Sequence, residues 1–534
     1  MLELVLLFSI LKNIQNASVN FIKFWIFGSS KGYHRYTYQE QPLSTKAVVI
    51  LSLMATSPQL LPNSTVCIIG GGSSGVFAIQ EALKTNFQPT LFEASATNGG
   101  VWRSDNHWHS LTTNSSIEMM QVCGFPFPFK PSGVFPTRNE ICKYIELFIQ
   151  HYNLSSYIQY QTKVIQVRPT TPLQPTKTKW QVTTINQNNI QHTQMFDAVI
   201  VASGQFNVPK LPKCLQAKTL TNSHYQGTVL HSREFRSGAD YQGLNVVVVG
   251  LGNSALDVAL ECSKHAKSVT VACRRGSIIL PIRKSNGDAI DQHVLSRFFQ
   301  QIQPKTVMGY RLMSEAMQVT EVFRQAGMPS PKMGGREAGI TQRVSNLKEK
   351  EQWIELLTKK NSNLKLHSSG LKSVGEGKRV VFLNDSVLDD VDVVISCTGY
   401  KFGGFPFLTN DDDDKNDDDK NDIMEMCQHR YVINGGDGVD STHVMGLNLY
   451  RRIMHPKYNT LCFLTQFTGF ANEAACGQLQ ARWICNMWSM TNRNAVATAS
   501  KIHNEIENRK LFWTKTTPLF PQFVTIIKYL DVVS

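Results

Sequence analysis

The sequence has no Cys-x-x-Cys pair, although it carries 11 cysteines in 534 residues. This excludes the vicinal dithiol of a thiol-redox enzyme. The odd count, with Cys67, Cys273 and Cys397 inside apolar strand-like runs, points to reduced, buried thiols rather than a disulfide framework. No apolar run approaches the ~18 residues of a membrane-spanning helix. Leu4–Leu11 and Ala47–Leu53 are short, and Glu3 stands where a signal peptide carries a basic flank. Lys528 interrupts Phe523–Leu530, so either end offers at most a peripheral membrane contact. Charged residues are only 18% of the chain. The net charge of +13 is spread along it with no basic arm, which reads as a basic surface without a nucleic-acid partner. The 42% of hydrophobic residues suits large buried cores, and the length suits two to four domains.

One pattern occurs twice. Val66–Ile69 is a short, wholly apolar run typical of a buried parallel strand. A glycine turn follows, then the helical pattern Gly75–Lys84 and a second strand, Thr90–Phe92. The same order returns as Val246–Val249, a glycine turn, Ser254–Ser263 and Ser268–Cys273. Each copy is a βαβ unit. A second echo links Asp197-Ala-Val-Ile-Val-Ala-Ser-Gly204 with Asp392-Val-Val-Ile-Ser-Cys-Thr-Gly399, and the pair brackets the second unit. The expectation is an α/β protein of two doubly wound dinucleotide-binding domains, the second inserted into the first, with the chain leaving near Gly204 and returning near Gly399.

The two turns differ in what they select. The first is Gly70-Gly-Gly72-Ser73-Ser74-Gly75. Its glycines permit a tight turn, close approach of a pyrophosphate and close helix packing, and the phosphates meet the N-terminus of the helix. Glu93 closes the next strand, where an acid binds ribose hydroxyls. The second turn is Gly250-Leu-Gly252-Asn253-Ser254-Ala255, with alanine in the third place. Arg274 and Arg275 follow its second strand. Guanidinium groups there accept a ribose 2′-phosphate that a carboxylate would repel, so this site prefers NADPH. Two nucleotide sites in one chain suggest hydride transfer between carriers.

Together these residues resemble the flavin-containing monooxygenases, of the class B flavoprotein monooxygenases, from about Val66 to Trp483. Glu93 with Gly99-Gly100-Val101-Trp102 looks like the family's adenosine- and flavin-contacting segment. Leu111-Thr112-Thr113-Asn114 resembles its Leu-x-Thr-Asn motif, with Phe125-Pro126 beyond it. Tyr225-x-Gly227-x-x-x-His231-x-x-x-Phe235 is similar to its fingerprint, with Tyr for the usual Phe. Thr398-Gly399-Tyr400, Leu449-Tyr450-Arg451 and Gln480-Ala-Arg482-Trp483 match later segments, while Gln478 stands where the family usually has Glu.

The resemblance implies FAD at the first turn and NADPH at the second. It implies a reduced flavin that adds dioxygen at C4a and passes one oxygen to a soft nitrogen or sulfur nucleophile of a small molecule. Asn114 is the first candidate to hydrogen-bond the hydroperoxide and Asn253 its partner near the nicotinamide; Thr113, Thr398 and Gly399 join the cofactor-binding set. His231 is read as structural. Baeyer–Villiger oxygenation of ketones is the alternative within the family. Phe235-Arg236 and Ser104–His107 depart from the pattern of those enzymes and favour heteroatom oxygenation. An NADPH oxidase or reductase without substrate oxygenation is the other alternative.

The expected division is an unassigned extension (1–60), a first FAD-binding part (61–207) and an NADPH domain with a helical insertion (208–390). A second FAD-binding part (391–500), holding a solvated acidic loop (411–422), and a tail (501–534) follow. The expected compartment is the cytoplasm, with peripheral attachment to the endoplasmic reticulum membrane as the alternative.

Overall fold

The computed structural model describes residues 60–103, 105, 107–171, 178–283, 286–294, 307–331, 344–401, 405–408, 428–434, 440–447, 449–466 and 473–489. The extension before residue 60, the acidic loop 411–422 and the tail 501–534 lie outside them.

Two five-stranded parallel sheets organise the chain. In the first, the spatial order is Leu461–Phe463, Ala198–Val201, Thr65–Ile69, Gln88–Phe92, Ile158–Gln159. In the second it is Leu364–His367, Ser268–Ala272, Asn245–Val249, Val393–Ser396, Thr228–His231. The strand entering the glycine turn is central in both, and its apolar run is buried because helices cover both faces of such sheets. The first sheet takes strands from before and after the whole of the second, so the second domain is inserted into the first. Val393–Ser396, assigned to the FAD part by a division at 390/391, instead pairs between Asn245–Val249 and Thr228–His231 of the second sheet.

The Asp echo has a structural basis. Asp197 Oδ2 accepts from the N–H of Thr65 at 2.8 Å, and Asp392 Oδ2 from the N–H of Asn245 at 2.8 Å. Each carboxylate thus anchors the first residue of the strand leading to a glycine turn. Each also follows a three-stranded antiparallel meander, Thr162–Phe196 in the first domain and Leu371–Leu388 in the second. The repeated unit is therefore larger than the sequence echo.

The helix Glu473–Ser489 returns to pack on Ser73–Lys84. A Cβ on Gly477 would come within 2.6 Å of Ser74 Oγ, so a glycine permits this approach. Trp488, fully buried, packs edge-on to Phe87 beneath the pair. The insertion contains the helices Asp291–Val294 and Val307–Gln325. Cys67, Cys273 and Cys397 are buried. No described helix is long and apolar enough to cross a membrane.

Candidate dinucleotide sites

Both glycine turns are forced by their surroundings. Gly70 has φ +109° and Gly250 φ +119°, in the region that favours glycine. A Cβ on Gly70 would lie 2.7 Å from the Ala202 carbonyl oxygen, and one on Gly250 2.7 Å from that of Cys397. A Cβ on Gly75 would strike the Gly70 carbonyl at 2.0 Å, whereas the corresponding Ala255 is fully buried without conflict. The helices begin at Ser73 and Asn253, and neither Gly72 nor Gly252 supplies a side-chain cap. Their first N–H groups and positive dipole ends therefore suit a pyrophosphate.

At the first turn, Glu93 is nearly buried. Its Oε2 accepts from the Gly71 N–H at 2.6 Å, and its Oε1 from Ser95 N–H at 2.8 Å and Arg103 Nη1 at 3.2 Å. The acid expected to meet ribose thus also braces the glycine turn. Arg103, which sequence reasoning missed, further pairs with Asp105. The Gly100–Trp102 turn docks on the same loop: Gly99 N–H donates to the Gly71 carbonyl at 2.9 Å, and a Cβ on Gly100 would come within 3.0 Å of Gly72 Cα. Val101 is exposed and Trp102 packs at the edge of the core.

At the second turn, Arg274 and Arg275 lie exposed just past Ser268–Ala272. Partial desolvation and then the charge of Arg275 lower the Arg274 pKa. Desolvation, followed by Arg274 and Lys401, lowers that of Lys210. Four cations thus gather at the carboxyl ends of the second sheet, a field that favours a phosphomonoester. Lys210 and Lys401 were not anticipated, since only the crossing of two distant segments brings them there.

That crossing is the joint between the sheets. Lys210 N–H donates to the Gly399 carbonyl at 3.0 Å, Lys401 N–H to that of Val208 at 2.8 Å, and the Thr398 hydroxyl to that of Lys210. His231 is buried; its Nδ1 accepts from the Arg233 N–H at 3.2 Å, which leaves Nε2–H to donate to the Gly399 carbonyl at 3.0 Å. Burial lowers its pKa, which keeps the ring neutral. His231 is structural here, and Thr398 and Gly399 tie the outgoing chain to the returning one.

Asn114 stands apart from these braces. Its Oδ1 is buried without a hydrogen-bond partner, while the neighbouring Thr113 hydroxyl closes a turn onto the Ser115 carbonyl at 2.6 Å. Asn253 Oδ1 instead accepts from the Asn346 N–H at 2.8 Å, fixing that side chain to the strand Val344–Leu347; Ser254 follows it in the first helical turn. Ser203 Oγ and Gln466 Oε1, just past two strands of the first sheet, are also buried without partners. Orphaned polar atoms at the carboxyl ends of parallel strands fit a polar ligand lying there. On these observations the first turn fits FAD and the second NADPH.

Comparison with known proteins accords with this geometry. The family model for flavin-binding monooxygenase-like proteins matches residues 63–424. The chain belongs to that family. The dimethylaniline monooxygenase [N-oxide-forming] 2 of Rattus norvegicus is 31% identical over 355 residues, covering 64% of this chain and 62% of the relative. Flavin-containing monooxygenase 3 of the same organism is 35% identical over 241 residues, 44% of each chain. The matches thus span less than two thirds of these relatives. Among solved structures, an open form of cyclohexanone monooxygenase aligns with a TM-score of 0.61 at 15% identity, over 88% of this chain and 97% of that one. The S-allyl-L-cysteine S-oxygenase of Allium sativum aligns with a TM-score of 0.55 at 19% identity, over 88% and 87%. These likenesses establish a shared fold: two α/β dinucleotide-binding domains, one within the other.

Proposed function

We propose that this chain is an FAD- and NADPH-dependent monooxygenase that oxygenates a soft nitrogen or sulfur atom of a small molecule, with dioxygen as co-substrate. The observation that carries the reading is the pairing of two glycine turns of opposite charge character, Glu93 at one and the Arg274–Arg275–Lys210–Lys401 cluster at the other, together with the unpartnered Oδ1 of Asn114. FAD, once reduced by NADPH, supplies the activation of dioxygen. The chain's own residues hold and shield. The helix N-termini at Ser73 and Asn253 receive the two pyrophosphates, and Glu93 faces the flavin nucleotide's ribose. The Arg274 cluster selects the 2′-phosphate. The Asn114 side-chain amide offers a donor and an acceptor to the oxygen being transferred. The names of the relatives, which include an N-oxide-forming enzyme, favour heteroatom over ketone oxygenation.

The test is to purify the chain with FAD and measure NADPH consumption against oxygenated product for tertiary amines, thioethers and ketones. Stoichiometric N- or S-oxide supports the reading. NADPH consumed with only hydrogen peroxide formed for every compound would replace it with an oxidase, and absence of NADPH oxidation would end it.

A further inference from the structure

Two residues after Asn114, Ser116 occupies the N-cap position of the short helix Ile117–Met120. A serine there ordinarily gives its hydroxyl to a helical N–H. This one makes no capping bond; it is wholly buried, and its Oγ has no hydrogen-bond partner. Asp291, from the helical insertion, lies beside it. Asp291 Oδ2 accepts from the Ser116 N–H at 2.7 Å, and its Oδ1 is buried and unpartnered. Burial raises the carboxyl's pKa against the backbone N–H groups of Ser116 and Gln292, and the like charge of Glu118 adds to the rise.

Among the described residues no cation pairs with Asp291. Lys348, which touches the same loop at the Thr112 carbonyl at 3.0 Å, is engaged by Asp257 at 2.9 Å. A desolvated carboxylate with no counter-charge is costly to maintain and strengthens any cation that reaches it. The atoms left over are the acceptors Asp291 Oδ1 and, two residues before Ser116, Asn114 Oδ1, with the Ser116 hydroxyl, which both accepts and donates. An ammonium group is three donors and one positive charge, and complements that set.

We propose that Asp291 and Ser116 form a subsite for a protonated amino group, so that the substrate carries a cationic amine apart from the nitrogen or sulfur that is oxygenated. The identity of the ligand as substrate rests on the monooxygenase reading above; the subsite itself does not.

The experiment is isothermal titration of the oxidised, FAD-loaded enzyme, without NADPH, with (methylthio)ethylamine and with its neutral counterpart (methylthio)ethanol. The wild type is expected to bind the amine at least tenfold more tightly. Asp291→Asn keeps an oxygen for the Ser116 N–H and is expected to retain its FAD content while losing the preference; Ser116→Ala should reduce it about threefold. Equal affinity of the wild type for the two probes, or a preference that survives Asp291→Asn, overturns the proposal. Turnover of both thioethers is assayed separately. Failure of oxygenation with the amine preference intact sinks the monooxygenase reading and upholds the subsite.

Discussion

Gln478 donates from Nε2 to Glu81 Oε1 at 3.2 Å, deep between the helices Glu473–Ser489 and Ser73–Lys84. Its Oε1 accepts from the Cys123 N–H at 2.9 Å, so one amide satisfies a carboxylate on one side and a backbone donor on the other. Glu81, 2% exposed, also holds Arg482 at 3.1 Å. A glutamate at 478, usual in the family, would set a second carboxylate against Glu81. Gln478→Glu is expected to destabilise the chain by about 1 kcal/mol, because the Nε2 donor to Glu81 becomes a like charge that Arg482 and Lys84, both paired with Glu81, offset in part. Adding Glu81→Gln should recover part of that loss. Urea unfolding of the two variants checks both signs, and a neutral Gln478→Glu would refute the account.

His107 predicts an acid sensitivity. It is nearly buried, its Nδ1 lacks a partner, and burial followed by the charges of Arg233, Arg236, His231 and Arg138 brings its pKa down to about 4. An unfolded histidine titrates near ~6.5. Above that pH neither state binds the proton. Between pH 6.5 and about 4 the unfolded chain binds it and the folded chain does not, so stability falls as pH falls. The full loss is about 3 kcal/mol. His107→Gln should remove this component, seen as a smaller difference between unfolding at pH 7 and pH 4.5 than in the wild type.

Arg274→Ala should raise the Kd for NADPH by about 10- to 100-fold and leave NADH within about threefold, since the lost contact is to the 2′-phosphate alone. Fluorescence titration with both nucleotides decides it. A parallel weakening of the two would move the phosphate site elsewhere among Arg275, Lys210 and Lys401.

Asn114→Ala should separate NADPH oxidation from oxygenation. Loss of one preorganised hydrogen-bonding group is worth about 10²- to 10³-fold in catalysis. Oxygenated product should fall by that order while NADPH consumption continues and hydrogen peroxide accumulates. Retained coupling would assign Asn114 to the turn rather than to the chemistry.

The glycine turns were legible because their constraints are local. Gly75 answers to the Gly70 carbonyl five residues away and Gly70 to its own positive φ, although Ala202 also crowds it, and Glu93 or Arg274 sits one βαβ unit beyond its turn. The Asp197 and Asp392 echo was legible as a repeated pattern, but its role was not, because each carboxylate anchors a neighbouring strand more than a hundred residues earlier. Arg103, Lys210 and Lys401 left no such signal, being single charges whose meaning depends on what crosses them. The strand Val393–Ser396 shows the limit of a boundary drawn from sequence, because a buried apolar run does not say which sheet it enters.

The sequence by itself therefore determined two α/β dinucleotide-binding units, their insertion and the charge that distinguishes their ligands, since periodicity, the backbone conformation of a tight glycine turn and the residue closing each strand are short-range properties. Tertiary structure alone decided that Asp291 meets Ser116, 175 residues away, and that Gln478 meets Glu81 across 397. A hydrogen bond between such distant residues is selected by the packing of whole helices and loops, which imposes no spacing on the chain that a reader of residues could find.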